Sequence, residues 1–250
     1  MAGMTGRASL LRGLLLAAVL GTGSAGWTQQ AQRPGGENAV PRVERVDSIE
    51  ARVQGCATCH GWQGQGTADP YFPRIAGKPA GYLFNQLRAF HDGARRYAPM
   101  NYLLAYMTDD YLREMADWFA AQRPAYQEPT PPTVAPELLQ RGRTLVQAGD
   151  PGRQLPACMA CHGRNLTGME PGIPGLVGLR PNYINAQLTR WRSGERRASA
   201  PDCMHRIAIR LEDPDIVAVA AWLGSLPAPS SQEPERRNTG RMPMACGSQP

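Results

Sequence analysis

One cysteine-rich motif occurs twice in the chain. Residues 56–61 read Cys-Ala-Thr-Cys-His-Gly, and residues 158–163 read Cys-Met-Ala-Cys-His-Gly, 102 positions further on. Two thiols about one helical turn apart can add to the two vinyl groups of a haem, while the adjacent imidazole reaches the iron. The motif therefore predicts covalent attachment of two c-type haems. The predicted attachment residues are Cys56, Cys59, Cys158 and Cys161.

A zinc site is the main alternative for these cysteines. Four thiolates from the two motifs could assemble a tetrahedral centre. Such a centre would leave the repeated His60 and His162 without a role. The haem interpretation uses all six positions and is the one we adopt.

The repeat extends well beyond the cysteine motif. Residues 73–77 match 174–178 at a shift of 101, and the same shift relates further tyrosine, glutamine, glycine and arginine positions downstream. The Pro-rich segment 123–136 separates the copies and favours neither helix nor sheet. Two copies of one small domain, a first lobe (47–122) and a second lobe (137–227), explain this order.

The remaining segments lie outside the two lobes. Residues 1–26 resemble a secretory signal, because Arg7 and Arg12 precede an apolar run and small residues follow. An uncleaved membrane anchor is the alternative, but the run is shorter than the roughly 20 residues of a span. We expect a flexible leader over 27–46, a linker over 123–136 and an irregular tail over 228–250. Export predicts a periplasmic protein in which disulfides can form.

Helical patterns dominate each lobe. Apolar spacing predicts helices over 109–120, 137–148 and 214–223, with Thr108 and Asp213 as N-caps. Alternation of period two is absent, so we expect few strands. A lobe of this size has a marginal apolar core, which a bound haem would complete.

The lobes resemble class I cytochrome c domains, and the tandem resembles the dihaem cytochrome c4 family over residues 47–227. The resemblance implies an all-α fold in which each of two tandem class I domains wraps around one covalent haem c. It also implies His and Met axial ligands to each iron. By position these are His60 with Met100 and His162 with Met204, since each Met precedes an aligned apolar residue by seven positions.

Several further roles follow from the resemblance and remain open. A carbonyl near Pro73 or Pro174 is expected to orient each ligating imidazole. Arg96 and Arg197 are candidate partners of the haem propionates, with a plain surface role as the alternative. The repeated pairs of tyrosine and glutamine are expected near the haem edges or between the lobes, or simply in the core. These pairs are Tyr82 with Gln86 and Tyr183 with Gln187.

Two cysteines remain after haem attachment, Cys203 and Cys246. An even remainder in an exported protein predicts a disulfide, which here would tie the tail to the loop of Met204. Cys203 also adjoins Met204, so a thiolate ligand is the alternative, as is ligation by His205. A bridged sulfur cannot bind iron, and the two roles therefore exclude each other.

The composition argues against a nucleic-acid-binding function. The net charge of +6 comes almost entirely from arginine, without the aromatic interleaving of a nucleic-acid surface, so no nucleic-acid partner is expected.

Two haem irons that each have two protein ligands predict an electron carrier and no enzyme. We expect a dehydrogenase or quinol-oxidising donor and an oxidase acceptor, with membrane association only through partners. The alternatives are a dihaem enzyme of the thiosulfate dehydrogenase or peroxidase type, or a fixed subunit of a dehydrogenase complex.

Overall fold

A computed structural model describes residues 47–69, 71–236 and 242–249. The predicted signal and leader lie outside the described residues. In the described residues of the first lobe the helices are, in chain order, α1 (Ile49–Arg52), α2 (Gln54–His60), α3 (Ala80–His91), α4 (Ala98–Leu104) and α5 (Asp109–Ala121). Thr108 caps α5 as predicted, because its Oγ1 accepts the Tyr111 N–H at 3.4 Å.

The second lobe repeats this order, with a short 3-10 helix (Pro151–Arg153) and a small sheet added. Its helices are α6 (Pro136–Gln147), α7 (Met159–His162), α8 (Pro181–Arg192), α9 (Cys203–Ala208) and α10 (Asp213–Gly224). The sheet is two-stranded and antiparallel, β1 (Gly168–Met169) with β2 (Ile173–Pro174), and Met169 pairs with Ile173. The prediction of Asp213 as N-cap is wrong. Glu212 holds that position in a capping box with Asp215, so the helix begins one residue earlier.

Each lobe has its own hydrophobic cluster. In the first lobe α3 packs on α5 around Leu104, Leu112 and Met115, and in the second α8 and α6 both pack on α10 around Val146 and Ile216. In the part of the chain that the structure describes, no helix is long and apolar enough to cross a membrane. The fold is mostly helical, as the periodicity predicts.

The contact between α6 and α10 depends on a glycine. A Cβ on Gly142 would lie 2.1 Å from the Ala218 carbonyl oxygen, so the helices can approach this closely only without a side chain there. We expect Gly142→Ala to lower the free energy of unfolding by about 1–3 kcal/mol, the usual cost of overpacking a core. Denaturant titration measures this. Arg143→Ala, on the exposed face of the same helix, should change stability by less than about 0.5 kcal/mol. Equal effects of the two changes would contradict the steric argument.

Candidate functional site

The first cysteine motif lies at the wall of a cavity of about 340 Å³. Helix α2 carries Cys56, Cys59 and His60 on consecutive turns, and Gly61, at φ +80°, ends the helix immediately after them. Both thiols and the imidazole line the cavity, and so does Met100 from α4. The predicted ligand and attachment residues of the first lobe are thus brought to one cavity.

The second motif has the same arrangement at a larger cavity, of about 520 Å³. Cys158, Cys161 and His162 line this cavity together with Met204 from α9. Met159 stands between the two thiols and packs into the hydrophobic cluster of the lobe. The axial assignments themselves remain proposals. The structure shows that the four residues of each set face one space.

Each imidazole is oriented by a backbone carbonyl. His60 Nδ1 lies 2.9 Å from the Pro73 oxygen, and His162 Nδ1 lies 2.8 Å from the Pro174 oxygen. A carbonyl can only accept, so Nδ1 carries the proton and Nε2 keeps its lone pair for a metal. Burial lowers the pKa of both imidazoles, which favours the neutral form that a ligand needs.

Neither rival ligand next to Met204 presents a free donor atom to the cavity. His205 Nδ1 lies 2.8 Å from the Trp191 carbonyl oxygen, and His205 does not line the cavity. Cys203 and Cys246 are joined by a disulfide, with their Cα atoms 4.9 Å apart. With its sulfur in that bridge, Cys203 is unable to act as a thiolate ligand. Met204 is the ligand that the geometry favours.

Buried cations between the cavities were missed by the sequence interpretation. Arg95 and Arg196 are 9% and 3% exposed, and Lys78 is 7% exposed. Arg95 donates to Tyr183 Oη at 2.8 Å, to Gln187 Oε1 at 2.9 Å and to Gln86 Oε1 at 3.0 Å.

Arg196 of the second lobe makes nearly the same contacts as Arg95. Arg196 donates to Gln86 Oε1 at 2.6 Å and to Gln187 Oε1 at 2.8 Å. Lys78 Nζ donates to the Gly175 carbonyl oxygen at 2.7 Å. Among the described residues none of these three cations has a carboxylate partner.

These cations indicate what the cavities accept. Burial, and secondarily the charge of Arg74, lowers the pKa of Lys78 to about 7. A neighbouring anion would raise that pKa again and remove much of the cost of burying the charges. Arg95 lines the first cavity, Arg196 the second, and Lys78 both. Haem is a large apolar ring that carries two carboxylates, so both the cavities and their cations fit it.

The predicted propionate partners are differently placed. Arg96 and Arg197 are both exposed. Arg197 lines the second cavity, but its counterpart Arg96 does not line the first. Their proposed contact with propionates stays a prediction, and the buried neighbours Arg95 and Arg196 are the stronger candidates. Both arginine pairs recur at the shift of 101, so the sequence alone does not distinguish the buried pair from the exposed one.

The zinc alternative finds no support in the geometry. Within the described ranges, no group of three or more histidine, cysteine or acidic side chains could hold a metal ion together. Burial raises the pKa of Cys56 to about 11 and that of Cys158 to about 12, with a smaller contribution from the neighbouring thiol. Burial therefore opposes the thiolate form that a zinc site requires.

Comparison with known proteins decides the family. The family model described as cytochrome c matches residues 50–123. The chain is 30% identical to the reduced recombinant cytochrome c4 from Pseudomonas stutzeri, with a TM-score of 0.62 over 71% of this chain and 96% of that one. The chain belongs to the cytochrome c4 family. It is a tandem of cytochrome c domains that carries covalently bound haem c, as the two Cys-x-x-Cys-His motifs predict.

Two further matches concern thiosulfate dehydrogenase. The chain is 36% identical, over 69% of its own length and 78% of the other, to a protein of Thiomonas intermedia named thiosulfate dehydrogenase electron acceptor. It is 32% identical, with a TM-score of 0.63, to the thiosulfate dehydrogenase TsdBA from Marichromatium purpuratum. That match covers 69% of this cytochrome but only 36% of the TsdBA chain, so this cytochrome spans about a third of it.

Proposed function

We propose that this cytochrome is a periplasmic electron carrier that accepts electrons from a thiosulfate-oxidising dehydrogenase and passes them to a terminal acceptor such as an oxidase. The observation that carries the proposal is that the two cavities adjoin. Five residues line both of them: Lys78, Tyr82, Gln86, Tyr183 and Gln187. A carrier with adjoining haem sites can accept an electron at one lobe and release it from the other.

The bound haem irons supply the one-electron ferric/ferrous couple. The chain's own residues set its properties. The Pro73 and Pro174 carbonyls hold the imidazole protons on Nδ1, which leaves Nε2 of His60 and His162 to hold the iron, and the thioethers of Met100 and Met204 would be the second protein ligands. Because each iron then has two protein ligands, no position remains for a substrate. The buried Arg95, Arg196 and Lys78 would pair with the haem propionates.

The donor is inferred from the named relative. The Thiomonas intermedia protein bears the name of an electron acceptor of thiosulfate dehydrogenase, and this chain covers 78% of it. The TsdBA match supports the same donor, because about a third of that thiosulfate dehydrogenase chain is similar to this cytochrome in sequence and fold. The Cys203–Cys246 bridge supports an oxidising, exported location.

A reduction assay tests the proposal. We expect thiosulfate alone to leave the purified ferric protein oxidised, and a catalytic amount of thiosulfate dehydrogenase to reduce both haems within seconds to minutes. The measurement is the growth of the ferrous absorption bands in the visible spectrum. Reduction by thiosulfate alone would instead show a dihaem enzyme. No reduction with the dehydrogenase, but rapid reduction by a quinol-oxidising complex, would replace the proposed donor.

A further inference from the structure

Lys78 begins a short segment of the first lobe, residues 78–82, that contacts the second lobe. It is the only lysine of the chain and lies just before α3. Its backbone is fixed on both sides, because the Gly77 N–H donates to the Phe119 carbonyl oxygen of α5 at 3.0 Å and Pro79 is fully buried. The lysine side chain therefore extends from a well-held part of the first lobe.

This segment holds the β1–β2 hairpin of the second lobe at two points. Lys78 Nζ donates to the carbonyl oxygen of Gly175, the residue that follows the hairpin, at 2.7 Å. The Tyr82 N–H lies in the first turn of α3, where helical amides lack partners within the helix, and it donates to the Pro171 carbonyl oxygen at 3.2 Å. A Cβ on Gly81 would lie 2.6 Å from that same oxygen, so the contact requires glycine.

The hairpin carries the carbonyl that orients His162. Pro174 is its last residue and pairs with Gly168 in the sheet, and the Pro174 oxygen lies 2.8 Å from His162 Nδ1. The next carbonyl along the chain, that of Gly175, is the one that Lys78 holds. Because glycine restricts its own backbone least, this bond removes freedom directly beside the Pro174 carbonyl. Lys78 therefore acts on His162 through two consecutive carbonyls.

The charge of Lys78 also acts on His162. Burial lowers the pKa of His162, the bond to Pro174 opposes this, and the positive charge of Lys78 adds to the lowering. At His60 the charge that contributes, after burial and the backbone bond, is that of Arg95. A positive charge beside a ligating imidazole disfavours the additional charge of ferric iron. Lys78 therefore favours the ferrous state of the second haem.

The second lobe does not return this contact. The repeat position of Lys78, at the shift of 101, is Leu179, which packs in the hydrophobic cluster of the second lobe and has no hydrogen-bond donor in its side chain. The repeat position of Gly175 is Arg74, whose guanidinium donates to two carbonyl oxygens of the linker at 2.8 and 2.9 Å. The lysine contact therefore runs one way, from the first lobe to the second haem site.

We propose that Lys78 is a positioning residue for the second haem: from the first lobe it holds the backbone that orients His162, so the potential of the second haem depends on the contact between the lobes. The proposal rests on the carrier function above and on ligation by His162. It adds that one lobe tunes the haem of the other.

Hydrogen exchange at the two ligand imidazoles tests the positioning. The full-length dihaem protein, with isotopically labelled histidine, is reduced chemically so that both irons are diamagnetic, and NMR follows the exchange of each Nδ1 proton with solvent. Lys78→Met should speed exchange at His162 by about 10-fold, because the Pro174 carbonyl is less firmly held, and change exchange at His60 by less than about twofold. Equal acceleration at both histidines would show a general loss of stability and overturn the proposal, as would no change at either.

Gly81→Ala provides a second variant, which keeps every charge. Alanine is a better helix former than glycine, so α3 itself is not weakened, but the added Cβ presses against the Pro171 carbonyl oxygen. Exchange should again speed up at His162 and not at His60. The matched control is Leu179→Met, a volume-conserving change at the equivalent position of the second lobe, which should leave both rates within about twofold of native. If this control speeds exchange at His162 as much as the lysine change does, the effect is one of packing and the proposal is wrong.

Reduction potentials test the effect of the charge. Burial, together with the charge of Arg74, lowers the pKa of Lys78 to about 7, so spectroelectrochemical titration at about pH 6 measures both haems with the ammonium charged. Lys78→Met should lower the second potential more than the first, because the lost charge acts on His162. Comparison with Met204→His assigns each potential to its lobe. A larger fall of the first potential, or no fall of the second, would count against the proposal.

These measurements do not depend on a partner protein. Both use chemical or electrochemical reduction, so failure of thiosulfate dehydrogenase to reduce the native protein would refute the proposed donor, and the exchange rates would still decide the role of Lys78. If the dehydrogenase reduces the native protein and Lys78→Met exchanges like it, the carrier function stands and the positioning role is wrong. A native spectrum without a haem-shifted His162 proton would refute ligation by His162, and with it this proposal.

Discussion

Replacing Met204 by His is expected to lower the reduction potential of the second haem by tenths of a volt and to abolish its sulfur-to-iron absorption. A thioether stabilises ferrous iron relative to a second imidazole, and axial ligands of this kind set haem potentials over a wide range. Met204 lines the cavity with His162, so the change falls on the iron of that lobe. Spectroelectrochemical titration gives both potentials, and Met100→His should act equally on the first haem.

Methionines of the same lobes that are placed in the core provide the controls. Met107 packs against the first hydrophobic cluster, and its counterpart in the repeat is Leu211, so Met107→Leu should leave both potentials unchanged. Met159 packs against the second cluster, and Met159→Leu should be equally silent. If the native protein lacks the sulfur-to-iron band, or if Met204→His leaves that band at full strength, the axial assignment is wrong.

Much of the fold follows from the sequence because its causes are local. The helix over 109–121 depends on Thr108 as a cap and on an apolar stripe, and both are visible within a few residues. The cysteine motif needs only one helical turn to bring its groups together. The aligned Met positions follow from the repeat, because two copies of a domain place equivalent residues equivalently.

Contacts between the lobes and along the tail could not be predicted from the sequence in this way. Lys78 donates to Gly175, almost a hundred residues away, and nothing near Lys78 in the sequence indicates that it is buried. The arginine pair shows the same limit. Adjacent residues 95 and 96 are both Arg and both recur, yet only the structure shows that Arg95 is buried and Arg96 exposed. From its sequence the tail is likewise expected to be exposed to solvent, and only the structure shows its contacts with Arg74 and β1.

Replacing Arg95 by Gln is expected to destabilise the protein by about 2–4 kcal/mol, because it removes charged hydrogen bonds and a buried cation from the junction of the lobes. Arg95 donates to Gln86 in its own lobe and to Tyr183 and Gln187 in the other. Loss of a positive charge beside a haem also favours ferric iron. The first potential should therefore fall, on the order of tens of millivolts at an effective dielectric constant of about 20.

The neighbouring residue provides a matched control for this change. Arg96→Gln removes the same charge one position later, from an exposed side chain, so stability should change by less than about 0.5 kcal/mol and neither potential should fall as far. Arg196→Gln and Arg197→Gln repeat the comparison in the second lobe. Because Arg95 and Arg196 share Gln86 and Gln187 as acceptors, the double variant should depart from additivity by about 0.5–3 kcal/mol. Arg95→Gln and Arg96→Gln could instead have equal effects on the free energy of unfolding and on the first potential. Burial at the junction would then not explain the contribution of Arg95 and Arg196, and Arg96 and Arg197 would again be the better candidates for pairing with the propionates.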